Sequence, residues 1–189
     1  MNHAPSPLRA AAAALLLPLL CAATARADKM DLRVIGFSAP EREKDFALTM
    51  EKMPDLRAIA LDAEHARVTL EFNPADLFPK VKVPSDPAAI LKRINDLTGA
   101  ASLRTFQFAT PSGLAEDTLA KVEIKVGLLD CKSCRYAFYS AVAGIDGVER
   151  ATVHSTAGVL TAWIDPQKTS KDALFQALKK LKGVELPPQ

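Results

Sequence analysis

The sequence predicts an α+β protein made of two consecutive copies of one unit, each an antiparallel sheet carrying its helices on one face. Three observations point there. Short alternating runs, Met30, Leu32 and Val34 or Val122, Ile124 and Val126, put apolar residues on one side of a strand and charged residues on the other. Each run is followed by apolar residues at helical spacing: Phe46, Met50 and Met53 after the first, Phe138, Ala141, Val142 and Ile145 after the second. Finally, a shift of 92 positions lays 30–74 over 122–166 without a gap. Leu32 then falls on Ile124, Met50 on Val142 and Phe72 on Ile164. Only Val34/Val126, Phe46/Phe138, Thr69/Thr161 and Pro74/Pro166 are identical among those 45 positions, so the repeat is one of pattern.

Taken in order, the first half opens on the strand through Val34 and a helix carrying Phe46 to Met53, which Pro54-Asp55 breaks. Leu56, Ile59 and Leu61 predict a second strand and Val68, Leu70 and Phe72 a third, ended by Asn73-Pro74. An irregular segment over 75–86 precedes a helix with Ile90, Leu91, Ile94 and Leu97 on one side and Gly99 as its stop. A strand over 103–110 closes the half. In the second half, the strand through Val126 leads to the helix around Phe138. Asp146-Gly147 then turns into a hairpin of Val148, Ala151 and Val153 against Leu160, Ala162 and Ile164. Ser170 is a good N-cap for a helix bearing Leu174, Leu178 and Leu181, with Gly183 as its stop. A brief strand over 184–186 ends the pattern. The second helices align at a shift of 84, leaving the first half eight extra residues near 78–86. Helices on one face of an antiparallel sheet in βαββαβ order make the ferredoxin-like sandwich. Two such units in tandem are expected, 28–112 and 121–189, joined by a linker over 113–120.

Residues 1–27 read as a secretory leader. Arg9 precedes an apolar run too short for a membrane span, and Ala25-Arg26-Ala27 fits a cleavage site. Cys21 lacks the small preceding residue of a lipid-attachment site, since Leu20 stands there. The leader carries two arginines and no acidic residue, so its loss takes the formal charge from +2 to zero. A basic surface for nucleic acid is therefore not expected, nor is stable membrane insertion. The mature chain is expected to be exported, in the periplasm or secreted, and to keep two cysteines, Cys131 and Cys134.

Those two stand at C-x-x-C spacing on the loop between a strand and a helix. The motif alone fits a redox pair, half of a zinc site or a soft-metal pair. A disulfide across so short a loop staples a fold weakly, because the entropic gain grows with loop length. As thiolates, the sulfurs suit copper, mercury, zinc or cadmium and reject magnesium and calcium. A structural zinc normally takes four ligands, and no second cysteine pair exists. Cys134 is expected in the first helical turn, where the helix dipole favours a negative sulfur. Lys132 and Arg135 add positive charge nearby and Asp130 opposes it.

Beyond the cysteines, the second half carries Gly127, the run Gly144-Ile-Asp-Gly-Val148, the run Gly158-Val-Leu-Thr161 and Ile164-Asp-Pro166 before its last helix. In these features it resembles a heavy-metal-associated domain, the module of copper chaperones, periplasmic mercury-binding proteins and the N-terminal arms of metal-exporting P-type ATPases. The resemblance implies Cys131 and Cys134 as ligands of one metal cation per chain, near the surface, and a donor or acceptor protein such as a membrane metal transporter. Leu129 stands where the family usually has a methionine packed under the loop, and fills the same apolar space. Asp130 before the first cysteine is similar to the arrangement in zinc-, cadmium- and lead-transporting members, as a third ligand or as a solvated carboxylate.

At the same shift Cys131 falls on Ala39 and Cys134 on Arg42, so the first half is expected to be a degenerate sister domain without a metal site. His154, Thr152, Thr161 and Trp163 are expected on the sheet face away from the helices, with Trp163 seating either the first half or a partner. His65 reads as solvated, and Tyr136 and Tyr139 as ordinary residues of the helix surface or core edge. A non-enzymatic metal-binding protein is the leading expectation. The alternatives are a thiol–disulfide oxidoreductase using the same pair and an interaction module without metal.

Overall fold

The computed structural model describes residues 27–39, 41–181 and 186–188. The first unit comprises β1 (Asp28–Ile35), α1 (Arg42–Met50), β2 (Leu56–Asp62), β3 (Arg67–Phe72), α2 (Pro74–Leu77), α3 (Pro87–Ala101) and β4 (Gln107–Ala109). The second comprises β5 (Ala120–Lys125), α4 (Lys132–Ala143), β6 (Val148–His154), β7 (Val159–Ile164) and α5 (Lys171–Lys179). All pairings are antiparallel, with strand orders β2-β3-β1-β4 and β5-β7-β6. The protein is thus α+β with two sheet–helix units of ferredoxin-like order, the fold class the sequence predicts. The leader up to Arg26 with Cys21, and Gly183 with all but Leu186 of the closing strand, lie outside the described residues.

Alternation places the cores. Leu32 and Val34 of β1 and Val68, Leu70 and Phe72 of β3 are buried against Phe46 of α1 and Ile94 of α3. Phe46 meets Phe37 and Phe106 edge-to-face, each with ring centroids 5.3 Å apart. The second core joins Ile124, Leu160 and Ile164 of its sheet to Phe138 and Val142 of α4 and Leu174 and Leu178 of α5. Asp86 caps α3 through Ala88 N–H at 2.9 Å, and Ser170 caps α5 through Ala173 N–H at 3.3 Å.

Four expectations fail locally. Helix α3 runs through Gly99 to Ala101, a glycine in mid-helix costing only about 1 kcal/mol. Arg104 N–H then bonds to Gly99 C=O at 2.7 Å while Leu103 and Arg104 turn left-handed, at φ 53° and 62°. The strand expected from 103 therefore begins at Gln107, and Leu103 is 90% exposed. In β2 a bulge between Ala58 and Ala60 breaks the alternation, and Ile59 and Leu61 of this edge strand are exposed. The segment expected to be irregular holds α2, started by Asn73 and by Pro74 in its first turn, with Leu77 buried. Helix α5 ends at Lys179, short of Gly183.

The units meet along a polar seam between the loop end of the first sheet and the α4–β6 side of the second. Arg33, on the wet face of β1 by alternation, is instead buried and donates to Ala143 C=O, the last residue of α4, at 3.0 Å. Gly36 N–H donates to the Tyr139 hydroxyl at 2.7 Å, and the Tyr136 hydroxyl donates to Thr105 C=O at 3.2 Å. Glu149, buried at the start of β6, takes Arg67 at 2.7 Å and Ser112 N–H at 2.8 Å. Arg150 donates to Glu64 C=O at 2.7 Å.

Candidate metal centre

The cysteine loop is fixed from below and from the side. Leu129 is buried in the second core, as expected of the residue under the loop. Val126 N–H bonds to Gly158 C=O at 2.8 Å, tying the end of the first strand to the β6–β7 hairpin. Gly158, at φ 62°, lies so close that a Cβ there would stand 2.8 Å from the Gly127 carbonyl carbon and oxygen. The same tie recurs 92 residues earlier, where Val34 N–H bonds to Ala66 C=O at 2.7 Å and Ala66 takes φ 53°. The internal repeat thus extends to a backbone bond and a left-handed residue.

Cys131 is the N-cap of α4, with an extended backbone, and its Sγ accepts from Cys134 N–H at 3.0 Å. Ser133 Oγ lies 3.2 Å from the same sulfur. Both cysteines are exposed. They are joined as a disulfide, with Cα atoms 5.3 Å apart. The free thiolates considered from the sequence are therefore reached only by reduction. The helix start and the N–H on Cys131 Sγ both favour a negative sulfur once it is freed.

Asp130 is exposed, and among the described residues no three His, Cys, Asp or Glu side chains form a cluster that could hold a metal ion. In the first unit the matching loop has no sulfur. Arg42, in place of the second cysteine, pairs with Asp45 at 2.6 Å and lies 5.8 Å from the Phe106 ring and 5.9 Å from the Tyr136 ring. A cleft of about 310 Å³ separates this loop from the cysteines' helix, lined by Ser38, Arg42 and Asp45 on one side and Lys132, Arg135 and Tyr136 on the other.

Of the remaining candidates, His154 and Trp163 stand as expected, while His65 and Tyr139 differ. His65, expected to be solvated, has a partner: its Nδ1 lies 2.7 Å from an Asp62 carboxylate oxygen. The His65 N–H and ring hold that carboxyl below its ordinary range. His154 is exposed, with Nδ1 facing Thr156 Oγ1 and Ala157 N–H of its own hairpin. Trp163 is half-buried under Arg150, whose guanidinium stacks 3.8 Å above the ring while bonding Glu64 of the first unit. It lines a cleft of about 540 Å³ with Phe37, Ala63 and Glu64, so it faces the first unit. Tyr139, taken as ordinary, is buried in the seam, and desolvation pushes its hydroxyl up to about 12 against the opposing pull of Gly36 N–H and Arg33. Burial likewise pushes the Arg33 guanidinium down, with Glu149 opposing. Besides Trp163, the sequence signal for this seam was a tyrosine hydroxyl beside the apolar residues of α4, which needs a partner when buried.

No family model matches the chain, and no curated protein matches it. Among solved structures it is similar to the water-soluble region of the P-type ATPase CopA from Bacillus subtilis, at 17% identity over 82% of this chain and 87% of that one, with a TM-score of 0.31. It is also similar to a solution structure of the N-terminal soluble domains of Bacillus subtilis CopA, at 18% identity, 84% and 91% coverage and a TM-score of 0.32. The N-terminal extension of Cupriavidus metallidurans CzcP matches at 16% identity, 82% and 96% coverage and a TM-score of 0.29. Scores in this range do not establish a shared overall shape, and the fold assignment rests on the strand orders above.

Proposed function

We propose that this chain is an exported, non-enzymatic carrier of one soft metal cation, bound by Cys131 and Cys134 after their disulfide is reduced. The observation that supports this most is the placement of the pair: both sulfurs are exposed at the start of α4, on a loop pinned by Leu129 and Gly158. Two thiolates leave coordination open, which suits handing copper, mercury, zinc or cadmium to another thiol site. The acceptor in this reading is a second metal-binding protein or a membrane metal transporter. Lys132 and Arg135 offset the charge of two sulfurs, and Asp130 remains solvated.

The test is anaerobic titration of the reduced chain from Asp28 with Cu(I), Zn(II) and Hg(II), beside Cys134→Ser. Wild type should bind one equivalent of at least one of these cations at least a hundredfold more tightly than the variant. Equal affinities would remove the carrier reading. The bonded state of the pair favours one second reading, a thiol–disulfide oxidoreductase. Catalysed insulin reduction that disappears in Cys134→Ser would establish that reading instead.

A further inference from the structure

Helix α4 joins two features that the sequence leaves unrelated. Its N-terminal end carries the Cys131–Cys134 cross-link. Further along, one face of the same helix, at Tyr136, Tyr139 and Ala143, is gripped by the first unit through three hydrogen bonds. The spacing i, i+3, i+7 puts these three on a single stripe. Lys132 and Arg135 continue that stripe towards the cysteines, where the seam opens into the cleft beside Ser38 and Arg42. Seam and cross-link therefore order successive turns of one short helix of twelve residues.

We propose that docking of the first unit and cross-linking of Cys131 to Cys134 are positively coupled through α4, so that the sulfur-free first unit acts as a clamp sensing the state of the pair. Each event removes conformational freedom from the same helix. Whichever comes second finds less freedom left to remove, and each therefore favours the other. Linkage makes the effect reciprocal: a weaker seam makes the disulfide easier to reduce, and reduction loosens the seam. The reduction itself breaks the S–S bond and delivers two electrons and two protons from an external dithiol, which leaves as its own disulfide. The coupling concerns the pair proposed above as the metal site but needs no metal.

Two measurements on the chain from Asp28 test this. The first is the equilibrium constant of the pair against dithiothreitol for wild type, Tyr139→Phe and Tyr136→Phe. At least one variant should hold the disulfide threefold or more less strongly than wild type. The second is hydrogen exchange in wild type alone, where the Gly36 amide should exchange at least fivefold faster once the pair is reduced. Equilibrium constants identical within error in both variants, or a Gly36 exchange rate indifferent to redox state, would overturn the coupling. The exchange measurement is independent of how the variants fold. Neither measurement uses a metal ion, so the carrier reading and the coupling stand or fall separately.

Discussion

At the scale of single residues, Gly158 does more for the cysteine loop than its place in a hairpin implies. Its left-handed φ and its approach to Gly127 leave no room for a side chain. Gly158→Ala should destabilise the chain by roughly 1–3 kcal/mol, through strain and displacement of the Gly127 backbone. An unchanged midpoint in urea unfolding would show that the loop gives way freely. Tyr139 is the second informative residue. The unfolded chain ionises this tyrosine near its ordinary value of 10.0, whereas the folded chain holds the proton up to about 12. The contribution is therefore complete below pH 10 and lost as pH rises through that window. Against Tyr139→Phe, wild type should lose up to roughly 3 kcal/mol of relative stability between those limits. Parallel pH profiles for the two proteins would contradict a buried, neutral hydroxyl. Gly158 was legible as a turn residue from Ala157-Gly158. Tyr139 was legible only as a hydroxyl that needs a partner when buried, because the partner itself lies 103 positions away.

Among the elements, β4 shows how a three-residue strand is kept. It pairs with β1 along one edge, and Asn95 of α3 brackets Phe108 from the other side. The Asn95 amide donates to Phe108 C=O at 2.9 Å, and its carbonyl accepts Phe108 N–H at 2.6 Å. Asn95→Ala removes both bonds and leaves two backbone groups to find water, a loss of about 2 kcal/mol. The Phe108 amide should then exchange at least tenfold faster, and protection equal to wild type would mean that β1 alone holds the strand. Periodicity revealed that a strand follows α3 but set its start four residues early. Apolar pattern cannot register a helix that overruns a glycine and leaves through two left-handed residues. The start of α5 was better signalled, because Ser170 acts on an N–H group three residues away.

For the molecule as a whole, the seam makes one body of two small units. Glu149 is its most consequential residue, 5% exposed and holding both Arg67 and Ser112 N–H. Glu149→Ala leaves Arg67, itself partly open to solvent, without its partner, a loss of roughly 2–3 kcal/mol. Wild type should unfold in a single calorimetric transition and the variant in two, as each unit falls back on its own core. Two resolved transitions already present in wild type would mean that the seam does not unite the halves. The first unit has an evident structural use in this arrangement. Arg33, Gly36 and Thr105 hold α4 by hydrogen bonds, and Arg42, at the position matching Cys134, lies 5.9 Å from the Tyr136 ring.

Local chemistry alone determined the two consecutive sheet–helix units and the cysteine pair at the start of a helix. Each of these depends on alternation, helical spacing or capping within a few residues. Only the tertiary structure decided that Arg33 is buried, that Tyr136 and Tyr139 reach the first unit, and that Trp163 turns towards it under Arg150. Those placements depend on polar groups more than thirty positions apart meeting in one desolvated seam, and apolar periodicity says nothing about which charged residues will do so.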